Sequence, residues 1–260
     1  MRLGGQTVVM TGAGGGIGHA IALAFAREGA TLILGDVSEA VEATADECRR
    51  AGAKTVALRG DVTRHEDMQA LAQRAVHDSG RLDVLITCAG VGGSGLLSEQ
   101  DEREWTHVVD VNLNGTYRAI HAVLPRMMQQ QSGRIITISS VFGRTGGAGY
   151  VTAYAASKHG VIGLTRALAV ELGAQGFPGI TVNAICPGYV NAGMGVRMQS
   201  TKAGPMAGAE IFERYFKRQV PLRRMIEPEE IAHAAIFLAQ PESAGITGQA
   251  LNVDGGFVMS

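Results

Sequence analysis

The stretch Gln6-Thr7-Val8-Val9-Met10-Thr11-Gly12-Ala13-Gly14-Gly15-Gly16-Ile17-Gly18 decides the fold. Its first half is a β-branched apolar run over 6–11, and its second half is a glycine-rich turn. A helical pattern over 17–28 follows at once. A strand that turns through glycines into a helix lets backbone approach a pyrophosphate, while the helix N-terminus offers free N–H groups and a partial positive charge. Gly12, Gly16 and Gly18 are the positions that this approach needs, with Gly14 and Ile17 completing the expected cofactor-binding turn.

Working outward, short apolar runs alternate with helical patterns. Strands are expected at 6–11, 31–35, 54–59, 82–87, 134–139, 180–185 and 249–253, and helices at 17–28, 38–51, 64–79, 101–130, 152–174 and 227–239. Alternation of this kind predicts βαβ units and a parallel sheet. Several runs are apolar at consecutive positions, as expected of strands covered by helices on both faces. The fold class is therefore α/β, a single-domain Rossmann-like doubly wound fold with a central parallel sheet of about seven strands. One domain spans 1–260, since no repeat, low-complexity tract or linker interrupts it. The segment 190–226 breaks the rhythm and reads as a substrate lid or loop. Its Met194, Met198 and Met206 suit either an adaptable apolar pocket or core filling. Its basic residues suit an anionic substrate, a solvated helix face or a subunit contact.

Composition sets the bounds. With 23 basic and 24 acidic residues the net charge is −1, which gives no case for nucleic acid as a partner. No apolar run reaches the length of about 20 residues that a bilayer requires, so no membrane is expected. The strand at 6–11 leaves no room for a signal peptide. Cys48, Cys88 and Cys186 are widely spaced and form no disulfide framework, which fits a cytoplasmic protein. The seven histidines lie apart in sequence and suggest no metal.

Asp36 ends the second strand, 18 residues after Gly18, where a carboxylate binds adenosine ribose hydroxyls and repels a 2′-phosphate. Val37 follows it, and no basic residue adjoins it in sequence, so NAD is expected and NADP less so. Ser38 suits the cap of the next helix better than Asp36 does. Asp61-Val62 and Cys88-Ala89-Gly90 close the third and fourth strands, at the carboxyl ends where open α/β sheets bind ligands. Asp61 also suits a helix cap near Arg64, and Gly90 a simple turn. Tyr154-Ala155-Ala156-Ser157-Lys158 puts a phenol and an ammonium one helical turn apart, on one face. A neighbouring cation lowers a phenol's pKa and fits it for proton exchange with a carbonyl or an alcohol.

Together these features resemble the short-chain dehydrogenase/reductase family over essentially the whole chain. TGxxxGxG is matched from Thr11 to Gly18, YxxxK by Tyr154 and Lys158, and GQxxxVDGG from Gly248 to Gly256. The resemblance implies Tyr154 as general acid/base, with Lys158 lowering its pKa and binding nicotinamide ribose. It further implies Ser140, rather than Ser139, as the hydroxyl on the substrate oxygen, and Asn112 as the holder of a helix kink and a water. Pro187, Gly188 and Val190 join Tyr154, Lys158, Ala89 and Gly90 as implied cofactor contacts. The implied function is an NAD-dependent oxidoreductase that interconverts a secondary alcohol and a ketone by hydride transfer. The rival readings are an NADPH-dependent 3-ketoacyl or polyketide-type ketoreductase and a non-catalytic dinucleotide-binding regulator. The substrate is expected to be a small-molecule alcohol or ketone. The outer face of helix 152–174 is expected to meet another subunit in a homotetramer. Three departures stand out: Cys88 replaces an Asn, Asn191-Ala192-Gly193 replaces a Thr after the Pro-Gly turn, and Ser140 lies 14 residues before Tyr154, one more than is common.

Overall fold

The computed structural model describes residues 1–93, 95–147, 149–194, 202–203, 206–207 and 217–259. The main elements run β1 Thr7–Thr11, α1 Gly16–Arg27, β2 Thr31–Asp36, α2 Ala40–Arg50, β3 Thr55–Arg59, α3 His65–Ser79, β4 Val84–Thr87, α4 Glu102–Val109, α5 Gly115–Gln130, β5 Gly133–Ile138, α6 Thr152–Ala174, β6 Ile180–Pro187, α7 Pro228–Ala239 and β7 Ala250–Val253. The strands form one seven-stranded sheet in the order β3-β2-β1-β4-β5-β6-β7, and every pair in it is parallel.

The alternation along each strand explains the two helix layers. Side chains two apart share a face of a strand. Val8, Met10, Leu32, Leu34, Val84 and Ile86 therefore point to one side, into a core shared with Ile21 and Phe25 of α1 and Ile231 and Ile236 of α7. Val9, Ile33 and Leu85 point to the other side, onto Leu71 of α3, Val123 of α5 and Leu168 of α6. Both faces are thus dry, which is why the strands read as continuous apolar runs. The chain reverses its winding between β1 and β4, and a crevice opens there beyond the carboxyl ends of the strands.

The expected single helix over 101–130 is two helices. A π turn, Asp110–Asn114, separates α4 from α5. The apolar period runs through it unbroken, so the extra backbone residue leaves no mark on the pattern. Most of the expected lid, 195–201, 204–205 and 208–216, with Met198, lies outside the described residues. Its two ends are tied together: Val190 bridges Ile226, Ile226 N–H donates to the Tyr189 carbonyl at 2.8 Å, and Asn191 N–H donates to that of Ile226 at 2.9 Å.

Candidate active site

A cleft of about 830 Å³ occupies the crevice. It is lined by every residue expected to bind a cofactor, from Gly12 to Val190, and by Ser140, Tyr154 and Lys158. Asn112 is absent from the lining and fully buried behind it.

The glycine turn closes because side chains are missing. Gly12 has φ of +72°, and a Cβ there would stand 2.4 Å from Ala89 N. A Cβ on Gly18 would stand 1.9 Å from the Gly12 carbonyl oxygen. β1, the β4 loop and α1 therefore meet only through bare backbone. Gly15 precedes α1, and no side chain caps the helix. Its first residues, Gly16, Ile17 and Gly18, line the cleft, where an anion-binding helix terminus would sit. At the far wall the Asp36 carboxylate accepts Gly14 N–H and Ser38 N–H, both at 2.8 Å. These donors and this acid fit the pyrophosphate and ribose of a nicotinamide dinucleotide.

Two features of this end differ from the sequence reading. Parallel register pairs Asp36 with Arg59, whose Nε donates to the Val37 carbonyl at 3.1 Å. Its guanidinium turns to the Glu39 carboxylate, with Nη1 3.0 Å from Oε1, and stays out of the cleft lining. Asp61 neither caps α3 nor points free: its Oδ1 accepts both Thr63 N–H and Thr63 Oγ1–H at 2.8 Å, holding the turn that follows β3. Ser38 does serve α2, its Oγ accepting Ala40 N–H at 3.2 Å.

At the other end, β5 delivers Ser139 and Ser140, and the first turns of α6 deliver Tyr154 and Lys158. The serines have separate tasks. Ser139 donates its hydroxyl to the Lys158 carbonyl at 2.9 Å. Ser140 Oγ accepts Phe142 N–H at 3.1 Å, which fixes the oxygen while leaving its proton to be donated. Lys158 is buried, with its Nζ 2.9 Å from the Ile138 carbonyl oxygen and 5.6 Å from the centre of the Tyr154 ring. Burial pulls its pKa down to about 8, against a smaller upward pull from the Cys88 and Cys186 thiols.

The expected lowering of the Tyr154 pKa is not what this environment produces. Burial pushes the phenol up, and a hydrogen bond with Ser140 pulls less strongly the other way. The ammonium is engaged by Ile138 and lies over the ring, and its own charge is disfavoured by the same dry surroundings. Asn112 sits within the π turn: its amide accepts Val91 N–H at 2.8 Å and donates to the Val91 carbonyl at 2.9 Å and to Ser157 Oγ at 3.0 Å. Its own carbonyl accepts the Thr116 hydroxyl at 2.8 Å.

The departures are absorbed locally. Cys88 keeps the β1–β4 ladder through its backbone, donating N–H to the Thr11 carbonyl at 3.1 Å, and burial pushes its thiol up to about 12. Asn191 turns away to the Glu227 carboxylate, leaving Ala192, Gly193 and Met194 on the cleft wall. Of the basic segment, Arg224 is bound in an ion pair with Glu230. His65 and His121, far apart in sequence, meet with ring centroids 5.4 Å apart, yet no three metal-capable side chains gather among the described residues.

Sequence reading missed Phe142 and Tyr189 on the substrate side and Glu104 and His107 on the rim. Tyr189 directly follows Pro187-Gly188 and was within reach of the motif. Glu104 and His107 lie on α4, whose separate course the apolar pattern concealed.

Comparison with known proteins adds to this geometry. A family model described as enoyl-(acyl carrier protein) reductase matches residues 12–258. The chain is 40% identical to the oxidoreductase UcpA of Salmonella typhimurium, over 98% of this chain and 95% of that protein. It is 38% identical to the 3-oxoacyl-[acyl-carrier-protein] reductase FabG of Thermotoga maritima over all of both chains. Among solved structures, a variant of actinorhodin polyketide ketoreductase with NADPH superposes with a TM-score of 0.89 at 36% identity, covering 97% of each chain.

Proposed function

The chain belongs to the short-chain dehydrogenase/reductase family of oxidoreductases, and from that premise we propose that it interconverts a secondary alcohol and a ketone with NAD(H). The observation that carries this reading is one cleft holding the bare-backbone turn, Asp36, Ser140, Tyr154 and Lys158. The bound dinucleotide supplies the hydride or takes it up. Ser140 donates its proton in a hydrogen bond to the substrate oxygen and holds it beside the Tyr154 hydroxyl. Tyr154 gives a proton to that oxygen during ketone reduction and removes one during alcohol oxidation. Lys158 contributes positive charge over the Tyr154 ring and would hold the ribose of the nicotinamide. Asn112 positions the Val91 loop against α6 from behind. Cytoplasmic location and a homotetramer complete the proposal.

The test is a spectrophotometric screen of ethyl acetoacetate, acetoacetyl thioesters, cyclohexanone and steroidal ketones with NADH and NADPH. Tyr154→Phe should lower kcat by at least about 100-fold while the Kd for NADH stays within about twofold. Retained turnover in that variant overturns the assignment.

A second reading, an NADPH-dependent 3-ketoacyl reductase, is favoured by the likeness to FabG and to the ketoreductase with NADPH. Asp36 opposes a 2′-phosphate more directly, because its carboxylate already faces the cleft. Kinetics with both cofactors separate the two readings.

A further inference from the structure

The C-terminal residues fold back onto the substrate side of the cleft. We propose that Asp254 and Phe257 are positioning residues: they set the aim of Tyr189, and with it the wall against which a ketone's apolar substituent packs. This rests on the oxidoreductase reading for its substrate and on the geometry below for its mechanics.

Asp254 is buried and its carboxylate accepts two backbone N–H groups, Gly256 at 2.9 Å and Val258 at 2.8 Å. Asn252 Nδ2 donates to the Val258 carbonyl at 2.8 Å, closing the tail from the other side. The turn itself needs glycine: Gly255 and Gly256 have φ of +69° and +89°, and a Cβ on them would stand 2.7 Å from Val220 and 2.9 Å from Pro221. The latched tail sets Phe257 edge-on to Tyr189, with ring centroids 6.2 Å apart at 88°. Tyr189 meets Phe142 at 5.8 Å and 77°, and Phe142 meets Tyr154 at 6.4 Å and 90°. Four rings thus run edge to face from the tail to the candidate acid/base, a favoured aromatic geometry. Tyr189 and Phe142 line the cleft, whereas Phe257 does not and acts only through Tyr189.

The same latch fixes the root of the 190–226 segment. Leu222 N–H donates to the Gly255 carbonyl at 3.1 Å, and Ile226 N–H donates to that of Tyr189 at 2.8 Å. Tail, segment root and Tyr189 therefore form one bonded unit. Loosening the tail frees the ring and the root together, while the glycine turn and Asp36 lie across the cleft.

Phe257→Ala, Phe257→Tyr and Asp254→Asn test this in the full-length protein, using the best-reduced ketone of the screen above. Phe257→Ala should raise KM for that ketone about tenfold and erode the enantiomeric purity of the alcohol, with kcat changed less than about threefold and NADH affinity unchanged. Phe257→Tyr keeps the ring and should restore both. Hydrogen exchange in the peptide 220–226 should quicken in Phe257→Ala and more in Asp254→Asn. Wild-type KM, selectivity and exchange in a folded Phe257→Ala overturn the inference, and they do so even if Asp254→Asn fails to fold. If the wild type reduces no ketone of the panel, the oxidoreductase substrate reading fails, and the exchange measurement alone decides the mechanical linkage.

Discussion

At the scale of single residues, Lys158 shows function set against stability. An ammonium buried under the sheet loses hydration that one carbonyl does not fully replace. Its pKa falls from 10.5 to about 8, which places the cost of keeping it charged at neutral pH on the order of 3 kcal/mol. Below pH 8 the lysine is charged in both states and the folded state bears that cost in full. Between about pH 8 and 10.5 the unfolded chain holds a proton that the folded chain has released, so stability rises with pH through that window. Lys158→Met should therefore raise Tm by about 3 °C at pH 7, because the gain is partly offset by the abandoned Ile138 carbonyl. The gain should shrink as the pH approaches 10, while turnover falls by at least about 100-fold. Calorimetry of both proteins across that range checks it, and a variant less stable than wild type at pH 7 would show that the charge is well compensated. The spacing of Tyr154 and Lys158 was plain in the sequence. The direction of their pKa shifts was not, because burial and the competing bond to Ile138 belong to the folded environment.

At the scale of elements, the sequence was most informative where an apolar period runs from one cap to the next. Helix α6 matches its expected span at both ends, and each of the seven expected strands pairs where alternation placed it. The π turn is the clearest failure, and it is also the element with most to do with the site. It contains Asn112, whose amide satisfies both polar groups of Val91 and one hydroxyl on α6. Asn112→Ala would leave both polar groups of the half-buried Val91 without this partner and take one from the buried Ser157 hydroxyl, which keeps its bond to the Tyr154 carbonyl. It should cost about 3 kcal/mol in urea unfolding, well above the usual surface substitution. Because Val91 adjoins Gly90 on the cleft wall and Ser157 adjoins Lys158, KM for NADH should rise as well. A loss below about 1 kcal/mol would mean that water or a shifted backbone replaces the amide. Arg59 was hidden for a related reason. Its pairing with Asp36 across the β2–β3 ladder comes from strand register, which no local pattern in either strand specifies.

At the scale of the whole molecule, the doubly wound sheet leaves one helix with a large apolar side chain and several small ones on its outer face. Helix α6 buries Val161, Leu168 and Leu172 inward, yet Val170 on its opposite side is 74% exposed. Ala156, Gly163, Ala167 and Ala174 are exposed too, and the helical repeat sets them on the same side as Val170, together with the exposed Thr152, His159 and Arg166. Small side chains let a second helix approach closely, and a symmetric oligomer repeats such a face on each copy. No helix among the described residues is long and apolar enough to cross a membrane. The proposed homotetramer should return four times the chain mass of 27.2 kDa in sedimentation equilibrium. Val170→Glu would place a carboxylate in the middle of that contact, against its own symmetry mate. It should halve or quarter the mass at micromolar concentration while leaving the circular dichroism of the chain unchanged. A monomeric wild type, or a Val170→Glu protein that remains tetrameric, would assign this face to solvent and move any subunit contact elsewhere.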